Sequence, residues 1–117
     1  MAIESYRELK VWQRGMDIVV SVYQLTKGFP SDERFGLTSQ MRRCAASIPA
    51  NIAEGNVRNT TKDYLRFISI AVGSVAELMT FLLVAQRLGF GDRNLLEDLL
   101  NDIDEESRMF RGLQRSL

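Results

Sequence analysis

Apolar residues recur along this chain in four runs at steps of three and four, the spacing that puts side chains on one face of a helix. In the first run, from about Tyr6 to Lys27, Leu9, Trp12, Met16, Val19 and Tyr23 form one line, with Val11, Ile18, Val22 and Leu25 beside it. Gly28, Phe29 and Pro30 end that run, and Ser31 with Asp32 and Glu33 offers a cap and an acidic first turn for the next. The second run carries Leu37, Met41, Cys44, Ile48 and Ile52 on its stripe and extends to Gly55, a C-terminal glycine. Thr60 opens the third, with Asp63 at the capping-box position, and Gly89-Phe90-Gly91 closes it after Leu88. Asp92 caps the fourth, whose stripe is Leu96, Leu99, Ile103, Phe110 and Leu113, widened by Leu95 and Leu100. Strand signals and internal repeats are absent from the pattern. Short connections make successive helices antiparallel, so the expectation is all-α: an up-down-up-down four-helix bundle filling residues 1–117 as one domain.

The second helix has three distinct faces. Beside its apolar stripe run Gln40, Arg43, Ser47, Asn51 and Glu54, and a third face holds the small residues Ala46, Pro49, Ala50 and Ala53. Pro49 lies inside the helical pattern, lacks a backbone N–H, and so predicts a kink with the Ala45 carbonyl left unpaired. The polar stripe, with Pro49 and Gly55, reads as a structural network rather than an active site, because polar groups bordering a core need partners.

The third helix is apolar nearly all round: between Tyr64 and Gln86 only Arg66 and Glu77 are charged. Phe67, Ile68, Ala71, Val75, Leu78 and Leu82 can fill a core, which leaves Ile70, Phe81, Val84 and Leu88 for a second surface. Together with Ala46, Ala50 and Ala53, where helices can approach closely, these residues predict self-association. The run is long enough to span a bilayer, but Glu77 within it would cost about 2.5–3.5 kcal/mol at the membrane centre. The expectation is a buried central helix and no membrane.

Composition narrows the class further. Hydrophobic residues make up 45% and charged residues 26%, as in a folded soluble domain, and 15 basic residues balance 15 acidic ones. The balance hides an asymmetry. Residues 34–66 hold six cationic side chains against two acidic, a local +4, while residues 97–106 hold six acids and no base. A single cysteine excludes an internal disulfide, and the charged start of the chain has no signal-peptide core; the expected setting is reducing and cytoplasmic.

The absence of histidine removes most zinc sites and histidine acid–base catalysis, and nothing calls for a cofactor or a bound metal. Cys44, on the apolar stripe, reads as core. Asp98, Asp102 and Glu105 or Glu106 have the i, i+4 spacing that could hold magnesium, as in helical nucleotide pyrophosphohydrolases. The second helical acid pair of those enzymes is missing, so this face reads as solvated. Arg42, Arg43, Arg58, Lys62 and Arg66 could meet the phosphates of RNA or DNA; the competing reading pairs these cations with the acidic face of the fourth helix, within or between subunits.

LTSQMRRCAASIPANIAEGNVR, followed by YLRFISIAVGSVAELMTFLLVAQRLGF, closely resembles the proteins encoded in intervening sequences of bacterial 23S rRNA genes, and YRELKVWQRGMDIVVSVY fits the same family. The resemblance covers nearly the whole chain. It implies a four-helix bundle assembled as a ring, a homopentamer, with kinship to the accessory proteins of diversity-generating retroelements, similar barrels that engage a reverse transcriptase and nucleic acid. The family carries no settled biochemical activity, and this chain departs from its more basic members in having no net charge. The function expected is therefore a non-enzymatic oligomeric scaffold that contacts structured RNA or DNA through its basic cluster. The alternatives are an adaptor that binds a protein partner only, and a magnesium-dependent nucleotide hydrolase.

Overall fold

The structure is a computed structural model that describes residues 5–117; the first four residues of the expected domain lie outside the described part. Four helices follow in order: α1 (Lys10–Thr26), α2 (Leu37–Asn56), α3 (Thr61–Leu88) and α4 (Arg93–Ser116). Each packs on its neighbour in sequence, and α4 returns to α1, while the diagonal pairs α1–α3 and α2–α4 bring no Cα atoms within 8 Å of each other. This is the square of an antiparallel four-helix bundle. It measures 46 × 24 × 19 Å, close to the roughly 42 Å that the 28 residues of α3 span at 1.5 Å each.

Helix boundaries follow local chemistry. Thr60 Oγ1 accepts from the Asp63 N–H at 3.1 Å and Asp92 Oδ1 from the Leu95 N–H at 2.9 Å, so both expected caps are made. Gly89 closes α3 in the left-handed region at φ 72°, where a side chain would be strained.

Three boundaries differ from the pattern reading. Tyr6–Glu8 forms a separate 3-10 turn, capped by Ser5, and extended Leu9 divides it from α1. Ser31–Glu33 is likewise its own 3-10 turn, and Ser31 caps nothing with its side chain. Instead α2 begins four residues beyond Glu33, whose Oε1 reaches forward to accept from the Leu37 N–H at 3.1 Å. Gly55, finally, is a close-contact residue rather than a terminator. It lies inside α2, and a Cβ there would stand 2.8 Å from the Phe67 Cβ and 3.1 Å from Tyr64.

The core takes Met41, Cys44, Ile48 and Ile52 from α2, and Ile68, Ala71, Val75, Leu78 and Leu82 from α3, as their stripes predict. In α1 the two lines exchange rank. Val11, Ile18, Val22 and Leu25 are buried, whereas Met16 and Tyr23 of the more regular line are 41% and 43% exposed. The reason is Gly15, which shares the buried line and lets that side of α1 lie against α2 and α4. Nor is α3 a central helix. It forms one corner of the square, with one face in the core and the opposite face bare.

Candidate functional site: a polar groove, two apolar faces and a divided set of cations

The polar stripe of α2 opens into a groove against α3. Gln40, Arg43 and Ser47 line it together with Phe35, Ser39, Cys44, Glu77 and Phe81 around a volume of about 620 Å³. Within it the Ser47 hydroxyl donates to the Cys44 carbonyl at 2.7 Å and shares a 2.6 Å hydrogen bond with Ser74 of α3. Asn51 Nδ2 donates to the Ser47 carbonyl at 2.7 Å. Ser47 and Asn51 are thus joined, and Ser74 is a member that no periodicity in α2 could reveal. The rest of the expected network does not close on itself: Glu54 turns to Arg58 at 3.3 Å, while Gln40 and Arg43 lie exposed on the groove wall. Pro49 is buried, on the side of α2 that meets α1.

Cys44 donates its thiol to the Ser74 carbonyl at 3.1 Å. Burial, then the hydrogen bond and charge of neighbouring Glu77, push that thiol up to about 12, so it stays protonated at neutral pH and is a poor nucleophile.

The five cations expected to act together are divided. Arg42 folds back on α1, where its Nε donates to Thr26 Oγ1 at 2.9 Å and its guanidinium lies 4.5 Å from the centre of the Tyr23 ring. Arg43, one residue on and so about 100° round the helix, faces the α2–α3 groove instead. Both stand about 20 Å along α2 from the turn where the remaining three collect. There Arg58 and Arg66 lie over the Phe67 ring at 4.9 and 4.4 Å. Their partners are weak: Glu54 at 3.3 Å and Asp63 at 3.8 Å, all substantially exposed. Lys62 is exposed on the first turn of α3 beside them.

Within the chain none of the five pairs with α4. The acidic face of that helix is met by Arg14 of α1, which the sequence reading passed over, at 3.4 Å to Asp102 and 2.6 Å to Glu105. Burial raises Asp102; Arg14 opposes the rise, and Glu105, Asp98 and Asp17 add to it. Glu106 does not belong to this solvated face at all, since it is fully buried in the core. Among the described residues, no group of three or more cysteine, aspartate or glutamate side chains converges as a metal site.

Among the described residues, two apolar faces remain uncovered. On α3, Ile70, Val84 and Leu88 are 44%, 40% and 57% exposed, and Leu83, which the pattern reading omitted, joins them. Phe81 is half-buried in the polar groove. Between α1 and α2, Tyr6, Trp12, Met16 and Val19 border Ala46, Pro49, Ala50 and Ala53 around a groove of about 270 Å³. The α1 line that the core leaves out therefore faces the small side of α2. By length and composition alone α3 is apolar enough to cross a membrane, but one of its faces is buried in the bundle.

The family model described as 23S rRNA-intervening sequence protein matches residues 7–112. A crystal structure of a protein described as of unknown function, from the S23 ribosomal protein family of Bacteroides thetaiotaomicron, superposes with a TM-score of 0.79. It is 21% identical, over 89% of this chain and 97% of that one, a likeness that speaks for the fold. No curated protein sequence matches the chain.

Proposed function

The chain belongs to the family of 23S rRNA-intervening sequence proteins, and we propose that it serves there as a non-enzymatic scaffold, built by self-association of the bundle. The observation that carries this reading is the outer face of α3. A helix that gives one side to its own core also exposes Ile70, Leu83, Val84 and Leu88, which a lone soluble domain has no use for. Gly73 lies on that same exposed side, and a Cβ there would meet nothing within 4 Å. Glycine within a helix costs about 1 kcal/mol relative to alanine, and this chain's own packing gives no reason for it. A second bundle lying close against α3 does. The α1–α2 groove, a different apolar face, supplies an unlike surface for such a neighbour, and unlike surfaces build closed rings when the rotation closes. A ring of five is the form the family resemblance implies.

Nucleic acid is the partner class this reading favours, with the contact confined to Arg58, Lys62 and Arg66. Their guanidinium and ammonium groups are exposed and weakly paired at one end of the bundle, and a ring would repeat them once per subunit. The test is a salt titration of binding to a structured RNA. Phosphate contact requires affinity that falls steeply with salt, and Lys62→Ala/Arg66→Ala should weaken it at every salt concentration. One observation favours an adaptor for protein alone: Arg42 is already committed to Tyr23 and Thr26, and the cationic surface is smaller than the local +4 suggests. Absence of RNA binding at low salt, or binding indifferent to the double substitution, would select that adaptor.

A further inference from the structure

Glu106 occupies a place on α4 that the pattern reserves for an apolar side chain, between Ile103 and Phe110, each 1% exposed. It is itself 0% exposed, and neither carboxyl oxygen has a hydrogen-bond partner among the described residues. Opposite it α1 carries Gly15. A Cβ on that glycine would lie 3.2 Å from Glu106 Oε2, and 3.5 Å from both Ile48 Cγ2 and Pro49 Cδ of α2. The carboxyl is therefore lodged where three helices meet, among apolar atoms. The cation nearest in sequence to this junction, Arg14, is held by Asp102 and Glu105 instead. The charges that act on Glu106 are Arg14 from α1 and Glu105 from its own helix; α2 presents Ile48 and Pro49, and no charged group of α2 or α3 contributes.

We propose that Glu106 is a proton-operated latch on the bundle: uncharged, it lets α1, α2 and α4 close around Gly15, and ionised, it draws water into that junction and loosens it. An unpaired carboxylate is among the costliest groups to bury, whereas a carboxylic acid is a modest polar group with an O–H to donate. Pro49 has no N–H, so the carbonyl of fully buried Ala45, one turn earlier, lacks its helical donor. Pro49 lines the outer α1–α2 groove as well, so loosening the junction disturbs that surface from beneath.

The direction of the pH effect follows. Burial, opposed by Arg14 and reinforced by Glu105, pushes the carboxyl up from 4.5 to about 8. Between those limits the folded chain keeps a proton that the unfolded chain has released. The contribution of Glu106 to stability is therefore fullest below the ordinary carboxylate range, falls as pH rises, and levels off once the folded pKa is passed. The unfolding constant rises by up to about tenfold per pH unit in that window.

Urea unfolding of the whole chain from pH 5 to pH 9.5 tests the latch, with sedimentation run alongside so that a change in assembly is seen separately. Wild-type protein should lose stability steadily up to about pH 8. Glu106→Gln, which keeps size and a donor without the charge, should lose that slope and be the more stable protein above pH 8. Equal slopes in the two proteins overturn the proposal. If Glu106→Gln does not fold, infrared spectra of Asp102→Asn protein decide: a protonated-carboxyl band at pH 6 that disappears by pH 9.5 supports the latch, and no such band at pH 6 refutes it.

Discussion

Gly55 of α2 lies so close to Phe67 of α3 that a Cβ on the glycine would stand 2.8 Å from the Cβ of the phenylalanine. This approach sets where the α2–α3 turn places its cations, because the same Phe67 ring carries Arg58 on one side chain contact and Arg66 on another. Backbone and Cβ atoms cannot swing aside as a long side chain can. Gly55→Ala should therefore destabilise the bundle by about 1–3 kcal/mol, the usual range for overpacking. Thermal or urea unfolding checks it, and a neutral substitution would mean that the two helices are less tightly engaged.

Gly73 is the opposite case. With open space around it, Gly73→Ala should add up to about 1 kcal/mol of helix stability to an isolated chain. Gly73→Arg should leave helix content intact while lowering the association constant, because a long charged side chain would stand on the apolar α3 face. Circular dichroism and sedimentation velocity on the same samples separate the two effects.

Arg42 gives a prediction that separates structure from partner binding. Its hydrogen bond to Thr26 and its place over Tyr23 are both lost in Arg42→Ala, which should cost about 1–2 kcal/mol of stability. RNA affinity should not change beyond what the lost fold explains. A selective loss of RNA binding in a fully folded Arg42→Ala protein would return this arginine to the contact surface.

A double-substitution cycle probes the three-helix junction. In wild type, Gly15→Ala places a methyl group 3.2 Å from Glu106 Oε2, and the gain in helix propensity is offset by the displaced carboxyl. With Glu106→Ala already in place that obstacle is gone, and the same change should stabilise by up to about 1 kcal/mol. Additive effects of the two substitutions would show that the glycine and the carboxyl do not constrain each other.

Much of the bundle is legible in the chain because period and punctuation agree: the caps at Thr60 and Asp92 and the stop at Gly89 are local chemistry that needs no tertiary context. What periodicity cannot assign is which of two adjacent stripes faces inward. In α1 both lines are apolar, and the deciding residue is Gly15, whose value lies in what packs against it. Glu106 was hidden by the opposite error, since a carboxylate amid Asp102, Asp104 and Glu105 reads as surface. Its register with Leu99, Ile103 and Phe110 was the signal that it points inward. The cations failed as one site for a geometric reason: neighbours in sequence diverge around a helix, so Arg42 and Arg43 face different helices. The polar stripe of α2 was legible as a stripe, but its partner Ser74 lies on another helix, where spacing carries no information about it.

Sedimentation equilibrium of the wild-type chain at micromolar concentration tests self-association most directly. One chain weighs 13.3 kDa. A single species of several chains is expected, five if the ring has the form the family resemblance implies, that sheds subunits when Val84→Lys and Leu88→Lys charge the α3 face. A well-folded species with the mass of one chain would contradict it.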